Sequence, residues 1–200
     1  MVAVALHVTA ADWAWSIKRF AVAGAAFLPI SFLLLIVVFF GSETYFHHWL
    51  HVEGDPIIDG KRAWLTLSNM VIRDFVGVAL LFGFAIAFAY LSVRPDVFGV
   101  EGPRRKSIYG RLTNGWRGVE AEARRSYKTR MWMGPVMGLM FAVVWGMIGI
   151  DLAMTMDPHF FSMMFPVTFF WAAFHGGVAA TAIAVTLLRK PMGLESFITK

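Results

Sequence analysis

The sequence predicts an all-α, polytopic integral membrane protein with four transmembrane helices in a bundle and both termini cytoplasmic. Three observations lead there. The 200 residues are 58% hydrophobic with a mean hydropathy of +0.63, too apolar for an ordinary soluble domain. Four apolar runs reach the length of about 20 residues that a bilayer crossing needs. The basic residues gather at one set of span ends, the pattern that orients a membrane protein.

The expected spans are about 20–41, 70–93, 131–155 and 160–188, within a single membrane domain over 1–200. The stretch before them lacks the basic start of a cleavable signal, and Lys18 and Arg19 directly flank the first span. Residues 1–19 therefore read as an interfacial stub or the end of a preceding helix. The first span is nearly pure Phe, Leu, Ile and Val after Pro29, so it carries no chemistry and is expected to face lipid or a neighbour.

The outer segment 42–69 is mildly acidic, with Glu43, Glu53, Asp55 and Asp59 against Lys61 and Arg62. Its Tyr45, Trp49 and Trp64 suit the aromatic belt of a membrane surface. On a helix His47 and His51 share a face, a spacing that can bind zinc, but no third ligand stands in a motif with them or with His48. Solvated interfacial histidines are the plainer reading. The second span opens with Asn69, Arg73 and Asp74; Asn69 and Arg73 share a face, whereas the neighbours Arg73 and Asp74 do not.

The basic loop 94–130 holds ten Lys or Arg against four Asp or Glu, which places it in the cytoplasm by the positive-inside rule. The net charge of +5 and pI near 9.8 thus signal orientation, not a nucleic-acid footprint. A turn is expected at Asn114-Gly115. After it, 116–130 has the charge pattern of a solvated or membrane-surface helix, with Glu120 and Glu122 ahead of Arg124, Arg125 and Lys128. In the third span Gly134 and Gly138 have small-xxx-small spacing, which permits close helix contact.

The third and fourth spans are joined by the stretch that concentrates ionisable groups: Asp151, Asp157 and His159 lie within nine residues. Pro158 suits the first turn of a helix, and Asp157 before it suits an N-cap. The third helix should therefore end near Thr155 and the next begin at Asp157 with almost no loop. Asp151 then lies on the order of 6 Å inside the helix end, at 1.5 Å per residue. A carboxylate at that depth needs a partner or a task. One reading has Asp157 capping and Asp151 pairing with a basic residue such as Arg73; the other makes them proton acceptors beside a quinol head group.

His175 lies past the middle of the fourth span. A haem held between helices requires a second buried histidine, and spans one to three contain none. A neutral histidine bonded to Thr168 or to another helix is the alternative. The absence of cysteine excludes disulfides, thiolate-held iron–sulfur clusters and covalent c-type haem from this chain.

The run Asp151-x-x-Met154-x-x-Asp157-Pro158-His159-Phe160-Phe161-Ser162-x-x-Phe165-x-x-x-Phe169-Phe170 resembles the signature of the ActF-type membrane subunit of bacterial alternative complex III. That subunit is similar to the NrfD and polysulfide-reductase family of quinol-handling membrane proteins. Tyr45–Trp49, Lys61–Leu65 with Arg73, Gly115-Trp116-Arg117-Gly118, Glu122 and Arg125-Ser126 support the resemblance. It covers nearly all of the chain and corresponds to the middle four helices of the family pattern.

The resemblance implies a subunit of a quinol:electron-acceptor (cytochrome c-type) oxidoreductase in the bacterial inner membrane. Quinol would be the substrate of the complex, with no cofactor on this chain. Haem c and iron–sulfur clusters would lie on partner subunits, beside an NrfD-like membrane subunit. Asp151, Asp157 and His159 carry over as proton-path or quinol-edge positions, with Arg73 and Asp74 as possible partners and His175 as a secondary candidate. The rival expectations are a structural docking subunit of the same complex, and half of a membrane transporter or proton channel in which His175 and Asp151 line a polar path.

Overall fold

Apolar runs this long, rich in Leu, Phe, Ala and Met, satisfy their backbone groups as helices. The computed structural model describes residues 1–97 and 115–195, and every regular element among them is helical. In order these are α1 Val2–Val8, α2 Trp15–Ala23, α3 Leu28–Phe40, α4 Ser42–Tyr45, α5 His47–Leu50, α6 Pro56–Lys61, α7 Leu67–Val93, α8 Val119–Ile148 and α9 Phe165–Leu188. Four helical stretches are long and apolar enough to cross a membrane: Ser16–Phe40, Leu67–Asp96, Val119–Met156 and Phe165–Leu188. Asn114 and the 98–114 part of the basic segment lie outside the described residues; Gly115 has φ +70.

Three boundaries differ from the sequence expectation. The first span is two helices joined by a 3-10 turn at Gly24–Phe27, and Pro29 falls in the first turn of α3. The third begins at Val119, because the Glu-, Ala- and Arg-rich stretch propagates helix well, and α8 continues through Pro135. The fourth begins at Phe165, so residues 157–164 form a connection and Pro158 opens no helix.

The described chain forms two compact units. The first comprises Met1–Ala25, Gly83–Gly138 and Thr181–Lys200. Its core joins Ala3 and Val4 of α1 to Val22, Phe88 and Met137, so the N-terminal stretch is packed core and not a stub. Of the two glycines in small-xxx-small spacing, only Gly134 makes a close approach: a Cβ there would collide with Val8 Cγ2, while Gly138 has open space. The charged start of α8 is not wholly solvated either. Glu122 and Ser126, four apart, are buried, and Glu122 Oε2 lies 3.0 Å from Arg94 Nε.

The second unit comprises Ala26–Phe82 and Leu139–Ala180. Its core is Phe46, Trp49, Ile58, Leu65 and Met70, with Leu152 packed against it. Trp49, expected in the interfacial belt, is only 3% exposed. Gly77 brings α7 close to α8, where a Cβ would meet Val144 Cγ1 at 3.2 Å. No residue of α3 is buried; Leu33, Val37 and Phe40 are exposed, an apolar surface suited to lipid or a neighbouring chain.

Candidate functional site

The site lies in the second unit, where α8 leaves regular α geometry. It ends in a π turn, Gly149–Ala153, followed by a 3-10 turn, Met154–Met156. A π turn shifts the register of side chains and is often found at functional positions. Gly149 at its start admits the ring of Phe169 on α9, from which a Cβ would sit only 2.7 Å.

Asp151 is the central residue of that turn and is completely buried. Its Oδ2 accepts from Arg73 Nε at 2.7 Å, with Arg73 Nη2 at 2.6 Å. Its Oδ1 accepts from the indole Nε1 of Trp64 at 2.9 Å. The Arg73 guanidinium carbon lies 3.8 Å from the centre of the Trp64 ring, closing a three-residue cluster. The hydroxyl of Thr155 donates to the Asp151 carbonyl, which tightens the turn.

Asp74 is the second buried carboxyl, 2% exposed and a direct electrostatic neighbour of Asp151 and Arg73. No N–H donor reaches either of its oxygens among the described residues; the group it shares hydrogen bonding with is the Asp151 carboxyl. Burying a carboxyl whose neighbour is a second carboxyl is costly while both are charged. Arg73 and Asp74, neighbours on different faces of α7, therefore both act on one carboxylate.

Asp157 and His159 do not join this cluster. Asp157 is exposed and accepts from the His159 amide at 3.1 Å, while the Phe160 amide bonds the Asp157 carbonyl. The expected helix cap is thus a local Asx-type turn. His159 Nε2 instead lies 2.8 Å from Asp55 Oδ2. Asp55 itself caps α6, accepting from the amides of Ile57 at 2.8 Å and Ile58 at 3.3 Å. The Ile57 amide, with Ile58 and His159 adding to it, holds the Asp55 carboxyl below the usual carboxylate range. Lys61 Nζ donates to the Pro158 carbonyl at 2.7 Å, so the connection is tied to α6 at two points.

Between that connection and the π turn lies a cavity of about 240 Å³. Trp64, Leu65, Ile150, Met154, Phe160 and Phe161 form its walls together with Lys61 and Thr155, and the lining is almost wholly apolar. Trp64 belongs to both features, donating to Asp151 and lining the cavity.

Trp64 was the residue that sequence reasoning did not place at the site. Its one signal is chemical: an indole N–H brought out of water seeks an acceptor. The other candidates stand apart. His47 and His51 rings are 5.5 Å apart, and His51 Nε2 lies 3.1 Å from Glu43 Oε2. Among the described residues no group of three or more His, Asp or Glu is placed to hold a metal ion. His175 is exposed on α9, and the Thr168 hydroxyl donates to the Met164 carbonyl instead of to it. No protein-family model, curated protein or solved structure matches this chain.

Proposed function

We propose that this chain is an integral membrane subunit of a quinol:electron-acceptor oxidoreductase, in which the buried carboxyls Asp151 and Asp74 take up protons that a bound quinol sheds. In this reading the cavity beside Trp64 receives the edge of the quinol ring. Electrons leave through haem c and iron–sulfur centres of partner subunits, and an NrfD-like membrane subunit lies alongside. The membrane is the bacterial inner membrane, with both termini and the basic segment cytoplasmic.

The observation that carries the proposal is the pairing of two buried carboxyls with one guanidinium beside an aromatic cavity. One positive charge cannot balance two carboxylates in a medium of low dielectric, so the cluster has room for a proton. Asp74, which no N–H donor reaches and which lies in hydrogen-bonding reach of the Asp151 carboxyl, is the member able to accept one without losing a donor. An apolar pocket walled by aromatic side chains is the kind of site that takes an apolar ring.

The test is turnover per assembled complex for purified Asp74→Asn and Asp151→Asn. An amide matches a carboxyl in volume but cannot accept and pass on a proton, so quinol oxidation or its coupled proton release should fall by about 10²-fold or more. Normal turnover with normal proton release in both variants would remove the cluster from the mechanism. A second reading, a docking subunit, is favoured by the full set of donors on Asp151, which is how a purely structural pair is held. It expects Asp151→Leu to lose assembly while Asp74→Asn keeps full turnover.

A further inference from the structure

A second cavity, of about 560 Å³, lies in the first unit and plays no part in the reading above. It is built from the N-terminal segment at residues 6–11 and from the start of the first span, the end of the second and the start of the third; these three span ends fall on one side of a membrane if the spans cross it in turn. Lys18, Arg19, Arg124 and Arg130 line it, with Asp96 as the one carboxylate among its described lining residues. Asp96 is ion-paired with Arg19. Arg130 donates to the Ser92 hydroxyl at 3.2 Å and the Ser126 carbonyl at 3.2 Å, neutral groups that leave its charge in place.

His7 supplies the independent observation. It is 3% exposed and lines the same cavity. Lys18 Nζ, which can only donate, lies 2.8 Å from His7 Nδ1, so the ring proton sits on Nε2. The Tyr127 backbone makes a weak hydrogen bond to the ring, but it falls outside normal geometry and leaves Nε2 without a close partner. Burial, then the charges of Lys18 and Arg130, push His7 down to about 4, so at neutral pH the ring is an uncharged donor in a positive field. A buried donor surrounded by cations calls for an anionic oxygen.

We propose that this cavity binds the phosphate head group of an anionic phospholipid, with His7 Nε2 and the Arg124 and Arg130 guanidinium groups as its donors. Phosphate chemistry alone does not separate a lipid from a free anion; the position and the walls do. The cavity lies at span ends, where head groups reside, and Leu6 and Ala10 give it an apolar border that inorganic phosphate would leave unused. Its volume also exceeds what a lone phosphate fills. Basic pockets at the cytoplasmic ends of membrane helices are suited to such head groups.

The experiment is native mass spectrometry of the full chain released from detergent carrying equal phosphatidylglycerol and phosphatidylcholine. Retention of phosphatidylglycerol over phosphatidylcholine is expected, with about a five-fold loss of that preference for each of Arg124→Gln and Arg130→Gln. Arg124→Lys should keep most of it, and Lys128→Gln, outside the cavity, all of it. Arg124 is exposed, so Arg124→Gln folds even if Arg130→Gln does not. Equal retention of the two lipids, or a preference unmoved by Arg124→Gln, would overturn the site. If inorganic phosphate alone abolishes the preference, the cavity is a free-anion site and the lipid assignment is wrong.

Discussion

Arg73 and Asp151, 78 positions apart in the chain, meet through two guanidinium nitrogens on one carboxylate oxygen, at 2.7 and 2.6 Å. Both are withdrawn from solvent, with side-chain exposures of 17% and 0%. The pair holds α7 against the π turn that ends α8, and Trp64 completes it from the segment before α7.

Removing one partner strands the other charge. Arg73→Leu should destabilise the protein by about 3–5 kcal/mol, while the double variant Arg73→Leu/Asp151→Leu should recover much of that loss. Thermal unfolding in detergent measures both. A double variant no better than the worse single one would show that the two charges do not act as a pair.

Trp64→Phe keeps an aromatic ring under Arg73 but deletes the indole donor to Asp151. The loss of a hydrogen bond to a charged group is expected to cost about 1.5–3 kcal/mol. Trp64→Phe and Arg73→Leu should be non-additive, because they share an acceptor. A midpoint unchanged from the parent protein would mean that the Trp64 bond contributes nothing.

The two glycines of the third span should behave oppositely. Gly134→Ala drives a methyl into Val8 and is expected to cost about 1–3 kcal/mol. Gly138→Ala meets open space within the helix and should stabilise by up to about 1 kcal/mol. Equal effects would contradict the packing of α1 against α8.

The Asp55 cap carries a pH signature. Its carboxyl is held below its ordinary value of 3.8, so the folded form binds its proton more weakly than the unfolded chain does. That contribution is therefore present above the ordinary value and lost as pH falls through the lower, folded value. Hydrogen exchange at the amides of α6, corrected for intrinsic rate, should accelerate below about pH 4. In Asp55→Ala the same amides should exchange fast at every pH.

Sidedness is tested with the parent protein itself, which has no cysteine. Glu53→Cys and Arg117→Cys, both exposed, should react with an impermeant thiol reagent from opposite faces of the membrane. Labelling from one face only would end the proposed topology.

Hydropathy reveals where a chain prefers lipid to water, so the existence of four long apolar helices was legible in the sequence from composition alone. Their ends were not, because helix continues wherever propensity allows. The charged stretch from Val119 joined α8, and the Asp157-Pro158 pair opened no helix. The local logic was sound but found its use elsewhere: Asp55-Pro56 has the same chemistry and does cap α6 with two amide bonds. A depth argument singled out Asp151, and Arg73 was available as its partner. Which residues completed the cluster depended on contacts of long sequence separation. A π turn, a glycine admitting Phe169, and an indole from the outer segment set the surroundings of that carboxylate. The same holds for His7 and its cations, which come from distant segments. Periodicity and spacing describe one helix at a time, whereas a buried charge is stabilised by whatever the folded chain brings within about 3 Å of it.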